Sequence, residues 1–147
     1  MKALVLRNPA LLAPLLAWAM SQILKFLVDY AVHRRPDFTR LVNPGGMPSS
    51  HSSLVSSMSV MVGRISGWSS PVFAVASVLS LIVLYDAAGI RRAAGRQARV
   101  INRIVDDLYR KHRVREERLR ELLGHTPLEV LAGVGLGAAV AFSWPLR

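Results

Sequence analysis

Apolar runs separated by arginine-rich stretches predict an all-α integral membrane bundle. It would have about four transmembrane helices, plus a cytosolic amphipathic helix or helical hairpin. Two observations carry that class. Hydrophobic residues fill 52% of the 147 positions and mean hydropathy is +0.33. Against this, 19 Lys plus Arg face only 9 Asp plus Glu, a net charge of +10. A nucleic-acid binder of that charge is seldom so apolar, and here the basic residues flank the apolar runs, as in membrane proteins with basic loops. The length suits one domain. With no cysteine, disulfides, thiolate metal sites and a cysteine nucleophile are excluded.

The first span, 9–32, opens with Asn8 as N-cap and Pro9 at the first helical position. Its apolar run is too long for a signal peptide, and no small-residue cleavage site follows it. Segment 51–68 holds Ser52, Ser53, Ser56, Ser57, Ser59 and Arg64 among apolar residues, which suits a span packed against other helices rather than lipid. Segment 71–88 is rich in Val, Leu and Ile and uncharged until Asp86. Segment 127–144 carries Gly133 and Gly137, a small-xxx-small pair that marks close helix packing in lipid. Between the last two, Ile90, Ala94, Ala98, Ile101, Val105 and Leu108 recur at three-four spacing, one stripe of an amphipathic helix. Pairs such as Arg103–Asp107, Asp106–Arg110 and Glu116–Arg120 would support it from its solvated face. The connector 33–50 is a loop rich in Pro and Gly. With four spans, loops 33–50 and 89–125 share one side with 14 basic residues, while the other side has four. That bias puts both loops in the cytoplasm and both termini outside.

Three clusters offer chemistry. In Asn43-Pro-Gly-Gly-Met-Pro-Ser-Ser-His51 a turn leads into a serine-rich helix start, where free N–H groups and hydroxyls suit an anion. His51 is placed to donate a proton to a leaving oxygen. The same residues also read as a loop with a serine N-cap. In Leu123-Gly-His-Thr-Pro-Leu-Glu129, Thr126 and Glu129 form a capping box around Pro127. The carboxylate could equally hold one nitrogen of His125 and leave the other as a nucleophile. In the run from Tyr85 to Arg96, Asp86 precedes Arg91 and Arg92, either a phosphate-binding mouth or a plain positive-inside signal. Lys25, costly within a span, either snorkels to the surface or serves a site. Together these residues could transfer a phosphoryl group through a histidine, with cations neutralising the phosphoryl oxygens.

The stretches G-G-M-P-S-S-H at 45–51, Y-D-A-A-G-I-R-R at 85–92 and L-G-H-T-P-L-E-V at 123–130 resemble the divergent branch of the type 2 phosphatidic acid phosphatase family. That branch is related to acid phosphatases and vanadium-dependent haloperoxidases. The resemblance implies a single membrane-embedded phosphatase-like domain over 1–147 that uses no metal and no cofactor. It implies His125 as nucleophile, Glu129 as its orienting acid in place of the wider family's aspartate, and His51 as general acid. Ser49, Ser50, Lys25 and Arg35 would bind phosphate, although nine residues separate Lys25 from Arg35 rather than the usual six. The wider family's arginine before the nucleophile falls on Leu119, so Arg91 or Arg92 is the candidate replacement. Asp86 matches no motif of the wider superfamily. The superfamily core has about six helices. Here either the core is trimmed or two chains complete it as a homo-oligomer.

The expected activity is hydrolysis of a phosphomonoester or diphosphate on a membrane lipid, such as a lipid phosphate or an isoprenoid diphosphate, through a phosphohistidine. The alternative is a non-catalytic membrane protein of the same fold that binds anionic lipids. Nucleic acid is not an expected partner.

Overall fold

The structure, a computed structural model, describes residues 8–36, 38, 46–109 and 125–146, with backbone only at 90–94, 96 and 106–109. Leu119, motif residues 43–45, 123 and 124, and the charge pairs expected across 106–120 lie outside these. The described residues form helices and no strand: α1 (Pro9–His33), α2 (Ser50–Ser66), α3 (Pro71–Tyr85), a π turn (Asp86–Ile90), α4 (Arg91–Tyr109) and α5 (Pro127–Ser143).

The helix ends follow local chemistry. Asn8 accepts the Ala10 N–H at 2.9 Å ahead of Pro9, satisfying one of the donors a helix start leaves unpaired. Ser70 does the same for Phe73 N–H at 3.2 Å ahead of Pro71. α1 ends where Arg34 turns left-handed, at φ 55°, and gives its N–H to the Tyr30 carbonyl at 2.9 Å. The Asp86 N–H donates to both Ile82 and Val83 carbonyls, and the backbone widens there into the π turn before α4.

Side-chain partners fix the directions. Lys25 of α1 meets Ser50 at the start of α2, while Ala13 near the other end of α1 packs with Met61 and with Ala141 of α5. Therefore α1 runs antiparallel to both. Ser80 Oγ of α3 donates to the Val55 carbonyl at 2.9 Å, and Ser77 pairs with Ser59, so α3 is antiparallel to α2. Helices α2 and α5 run parallel, Gly133 lying against Ser49 and Ser52, and Gly137 against Ser53 and Ser57. At their far ends Arg64 donates from Nη1 to the Ala141 and Trp144 carbonyls, a cation on the end of a helix that presents unpaired carbonyls.

Burial is inverted relative to a water-soluble bundle. Ser21, Gln22, Lys25, Ser49, Ser50, Ser52, Ser53, Ser57 and Ser80 are buried. The outer surface is Leu11, Leu15, Ile23 and Leu27 on α1, Val72, Val75, Leu81 and Ile82 on α3, and Leu131 and Phe142 on α5. In water so large an apolar surface would drive association; in a bilayer it faces a solvent of its own kind, and small polar residues serve as interhelical contacts. Two stretches, Pro9–His33 and Pro71–Gly89, are long and apolar enough to cross a membrane. In the second, only 17% of the most apolar window is buried, unlike the core helix of a soluble protein. The serine-rich α2 and the apolar α5 are each 17 residues long.

The α2–α5 contact gives the first prediction. A Cβ on Gly137 would strike the Ser53 carbonyl and come within 3.0 Å of Ser57 N, whereas one on Gly135 would meet nothing within 4 Å. Gly137→Ala should therefore destabilise the detergent-solubilised protein by about 1–3 kcal/mol, a typical overpacking cost. Gly135→Ala should cost nothing, since alanine is the better helix former. Thermal unfolding of the two variants side by side is the check.

Candidate active site

The antiparallel and parallel pairings bring the end of α1, the start of α2, the end of α3 and the start of α5 to one end of the bundle. Within that end, α2 and α5 are joined by a backbone hydrogen bond from Ser49 N–H to the Glu129 carbonyl at 3.0 Å. This bond sets the two motif histidines beside each other, with His51 and His125 ring centroids 6.5 Å apart and their planes at 57°. His51 is exposed, whereas His125 is 4% exposed.

His125 lies two residues before α5, ahead of the N-cap Thr126, and Glu129 lies one turn into the helix. The Glu129 Oε2 atom is 3.0 Å from His125 Nδ1 and 3.0 Å from Thr126 N. An ionised carboxylate only accepts, so both nitrogens donate to this one oxygen, which places the imidazole proton on Nδ1. The Thr126 hydroxyl in turn accepts the Glu129 N–H at 3.3 Å, completing the capping box. The capping and histidine-orienting readings of Glu129 are thus both present in the geometry. Nε2, the nitrogen across the ring from Glu129, carries the lone pair in this tautomer.

Lys25 is 3% exposed and turned inward, so it does not snorkel. Its Nζ donates to Gln22 Oε1 and to Ser50 Oγ, each at 3.0 Å. Glu129 acts on it electrostatically. Gly46, at φ 82°, packs over its side chain: a Cβ there would lie 3.9 Å from Lys25 Cγ. Having accepted from Lys25, the Ser50 hydroxyl still has its own O–H to give. Ser49 serves the fold: it is the N-cap of α2, and its Oγ accepts from Ser52 N at 3.4 Å and from Ser52 Oγ at 2.9 Å.

The remaining candidates lie further out. Arg35 is exposed two residues beyond α1 and makes no described contact with Lys25, Ser50 or His125. Asp86 is half-buried at the first position of the π turn, which packs against α5. Arg91 and Arg92 hold the first two positions of α4, directly after that turn. Gln22 escaped the sequence reading. The available signal was a polar residue three positions before Lys25 inside an apolar run, which puts the two on one helix face. An apolar groove between α1 and α5, lined by Leu16, Met20, Leu136 and Trp144, holds no titratable side chain and extends toward the end away from the histidines.

A polar interior and an apolar exterior, with a histidine–carboxylate pair beside a second histidine at one end, define a helical membrane protein with a polar cluster. The chain belongs to the divergent PAP2 family, whose model matches residues 6–140. It is similar to the uncharacterized membrane protein YuiD of Bacillus subtilis (strain 168), with 38% identity over 140 residues, covering 88% of this chain and 89% of that protein. No solved structure matches the chain. It is a membrane protein.

Because one carboxylate oxygen serves cap and histidine, two substitutions at Glu129 should part in stability. Glu129→Ala removes the acceptor of both N–H groups and should cost about 1–2 kcal/mol. Glu129→Gln keeps an oxygen there and should melt within about 0.5 kcal/mol of wild type. Melting curves in one detergent decide this.

Proposed function

We propose that the protein is a membrane phosphatase that hydrolyses a lipid phosphomonoester or diphosphate through a phosphohistidine at His125. The observation that carries this reading is the Glu129–His125 bond beside His51. A carboxylate fixes the tautomer of a buried imidazole, and a second, exposed imidazole stands across from it. Nε2 of His125 attacks phosphorus, and the bond from phosphorus to the lipid oxygen breaks as His51 gives that oxygen a proton. Glu129 stabilises the imidazolium that forms. Water, deprotonated by His51, then attacks phosphorus, the P–N bond breaks, and phosphate leaves with both histidines restored. The Lys25 ammonium, the Ser50 hydroxyl and two parallel helix N-termini supply positive potential for the phosphoryl oxygens. Arg91 or Arg92 and Arg35 would add to it from the rim. By resemblance to the wider family, no metal takes part.

The second reading, a non-catalytic binder of anionic lipids, rests on Leu119 standing where the wider family has an arginine. Turnover separates the two. His125→Ala should lower phosphate release from a panel of lipid phosphates and isoprenoid diphosphates by several powers of ten, at unchanged melting. Glu129→Gln should lose rate heavily without losing stability. His125→Ala activity within a few-fold of wild type would sink the mechanism.

All four apolar helices cross the bilayer in this reading, and the loops bearing the site face the cytoplasm, toward which the basic residues are biased. The absence of native cysteine makes this testable. The exposed Met47, Ser69, Gln97 and Leu146 are each replaced by cysteine. In intact cells Met47→Cys and Gln97→Cys should be protected from an impermeant thiol reagent, while Ser69→Cys and Leu146→Cys should label. Labelling of positions 47 and 97 from opposite sides would remove the common site.

A further inference from the structure

The partners of Lys25 differ in kind from those described for His125, Arg64 and His33. His125 is paired with a carboxylate, Arg64 with helix-end carbonyls, and His33 with Asp29. Lys25, 3% exposed in the interior of a span, is held by a neutral amide and a neutral hydroxyl. Among the described residues no carboxylate makes an ion pair with it. Glu129 acts through space, its oxygen being bonded to His125 and Thr126. A buried ammonium needs acceptors, because an unpaired charge in a membrane interior is costly. If holding the fold were its only task, a carboxylate would satisfy it more strongly. Neutral acceptors fix the position of the nitrogen without an ion pair, and two of its three donors are thereby used.

We propose that Gln22 is a positioning residue of the phosphate site: its amide oxygen fixes the Lys25 nitrogen at Ser50 without an ion pair, so that the ammonium and its third N–H serve an anionic phosphoryl group. This rests on the assignment of Lys25 and Ser50 to phosphate binding. It adds that the amide at position 22 must be uncharged. Lysine carries its charge on a flexible four-carbon stem. The i, i+3 acceptor on its own helix and the Ser50 acceptor across the interface together hold that stem to one geometry.

The test uses the full chain in detergent, with inorganic phosphate as probe, read by phosphorus-31 line broadening. Hydrolysis of lipid phosphates and thermal unfolding are measured on the same preparations. Gln22→Glu is nearly isosteric and places an anion on the ammonium. It should melt at or above the wild-type temperature while phosphate affinity falls about tenfold or more, with KM rising by a similar factor and kcat changing less. Gln22→Leu removes one anchor and should weaken phosphate binding several-fold. A merely structural glutamine predicts the same melting for the first variant but leaves phosphate binding untouched. Folded Gln22→Glu protein that binds phosphate within twofold of wild type overturns the proposal, as does failure of the wild type to bind phosphate. Should Gln22→Glu not fold, Gln22→Leu decides by the same criterion. Wild-type protein that binds phosphate but hydrolyses no lipid phosphate ends the phosphatase reading alone, because the effect of position 22 on phosphate affinity still decides this one.

Discussion

Everything at the candidate site depends on how closely two parallel helices approach. Gly133 and Gly137 let the α5 backbone lie directly on the Ser49–Ser57 stretch, with no room for a methyl group at either position. At that separation the Ser49 N–H reaches the Glu129 carbonyl, and the two helix starts are held at one level. Parallel helices differ from the commoner antiparallel neighbours in one electrostatic respect: their positive ends coincide. His51 enters the site as the second residue of α2, and His125 two residues before α5. A shift of one helix by a turn, about 5.4 Å, would part the two rings. The glycine pair, which suggests dimerisation when read in isolation, is occupied within the chain.

The serines of α2 complete the same arrangement. In a water-soluble bundle, leucine-sized side chains at positions 52, 53, 56 and 57 would fill the interior and hold the axes well apart. Serine is small enough for the close approach, and its hydroxyl can be satisfied locally. Ser53 donates to the Ser49 carbonyl, and Ser80 to both Ala76 and Val55 carbonyls. Ser57 Oγ has no partner among the described residues, and the Ser57 backbone lies against Gly137 in the close helix contact. Apolar side chains displaced from the interior clothe the outside, where lipid accepts them at no cost.

Features governed by neighbours in sequence were legible, and those governed by neighbours in space were not. Asn8-Pro9 and Thr126-Pro127-Leu-Glu129 announce helix starts, because the capping atoms lie within three residues of their partners, and both appear as expected. The small-xxx-small pair at Gly133 and Gly137 was legible as close packing, although not its partner. Lys25 could be read only as an anomaly, since snorkelling and inward burial need the same residue at the same place; the choice depends on Ser50, 25 positions away. Arg64 stood in the sequence only as a charge among the apolar residues of 51–68; its acceptors are the Ala141 and Trp144 carbonyls, which no local pattern reveals. The π turn at Asp86–Ile90 was missed as well. One extra residue in a turn leaves little trace in apolar spacing.

The two basic groups nearest the proposed chemistry are distinguished by what they lean on. His125 has a carboxylate behind it, which favours the positively charged ring that forms when Nε2 bonds to phosphorus. Lys25 has an amide and a hydroxyl, neither of which forms an ion pair with it, as the proposed anion site requires. Exchanging these partners would defeat both roles: a carboxylate on Lys25 would compete with phosphate, and a neutral acceptor on His125 would leave the imidazolium without its counter-charge. The division is sharpened by Glu129 having a single oxygen that caps α5 and orients the histidine together. Bound in that way, it is restrained from swinging to Lys25, so the capping box, ordinarily a device of helix stability, also keeps the carboxylate on the proposed nucleophile.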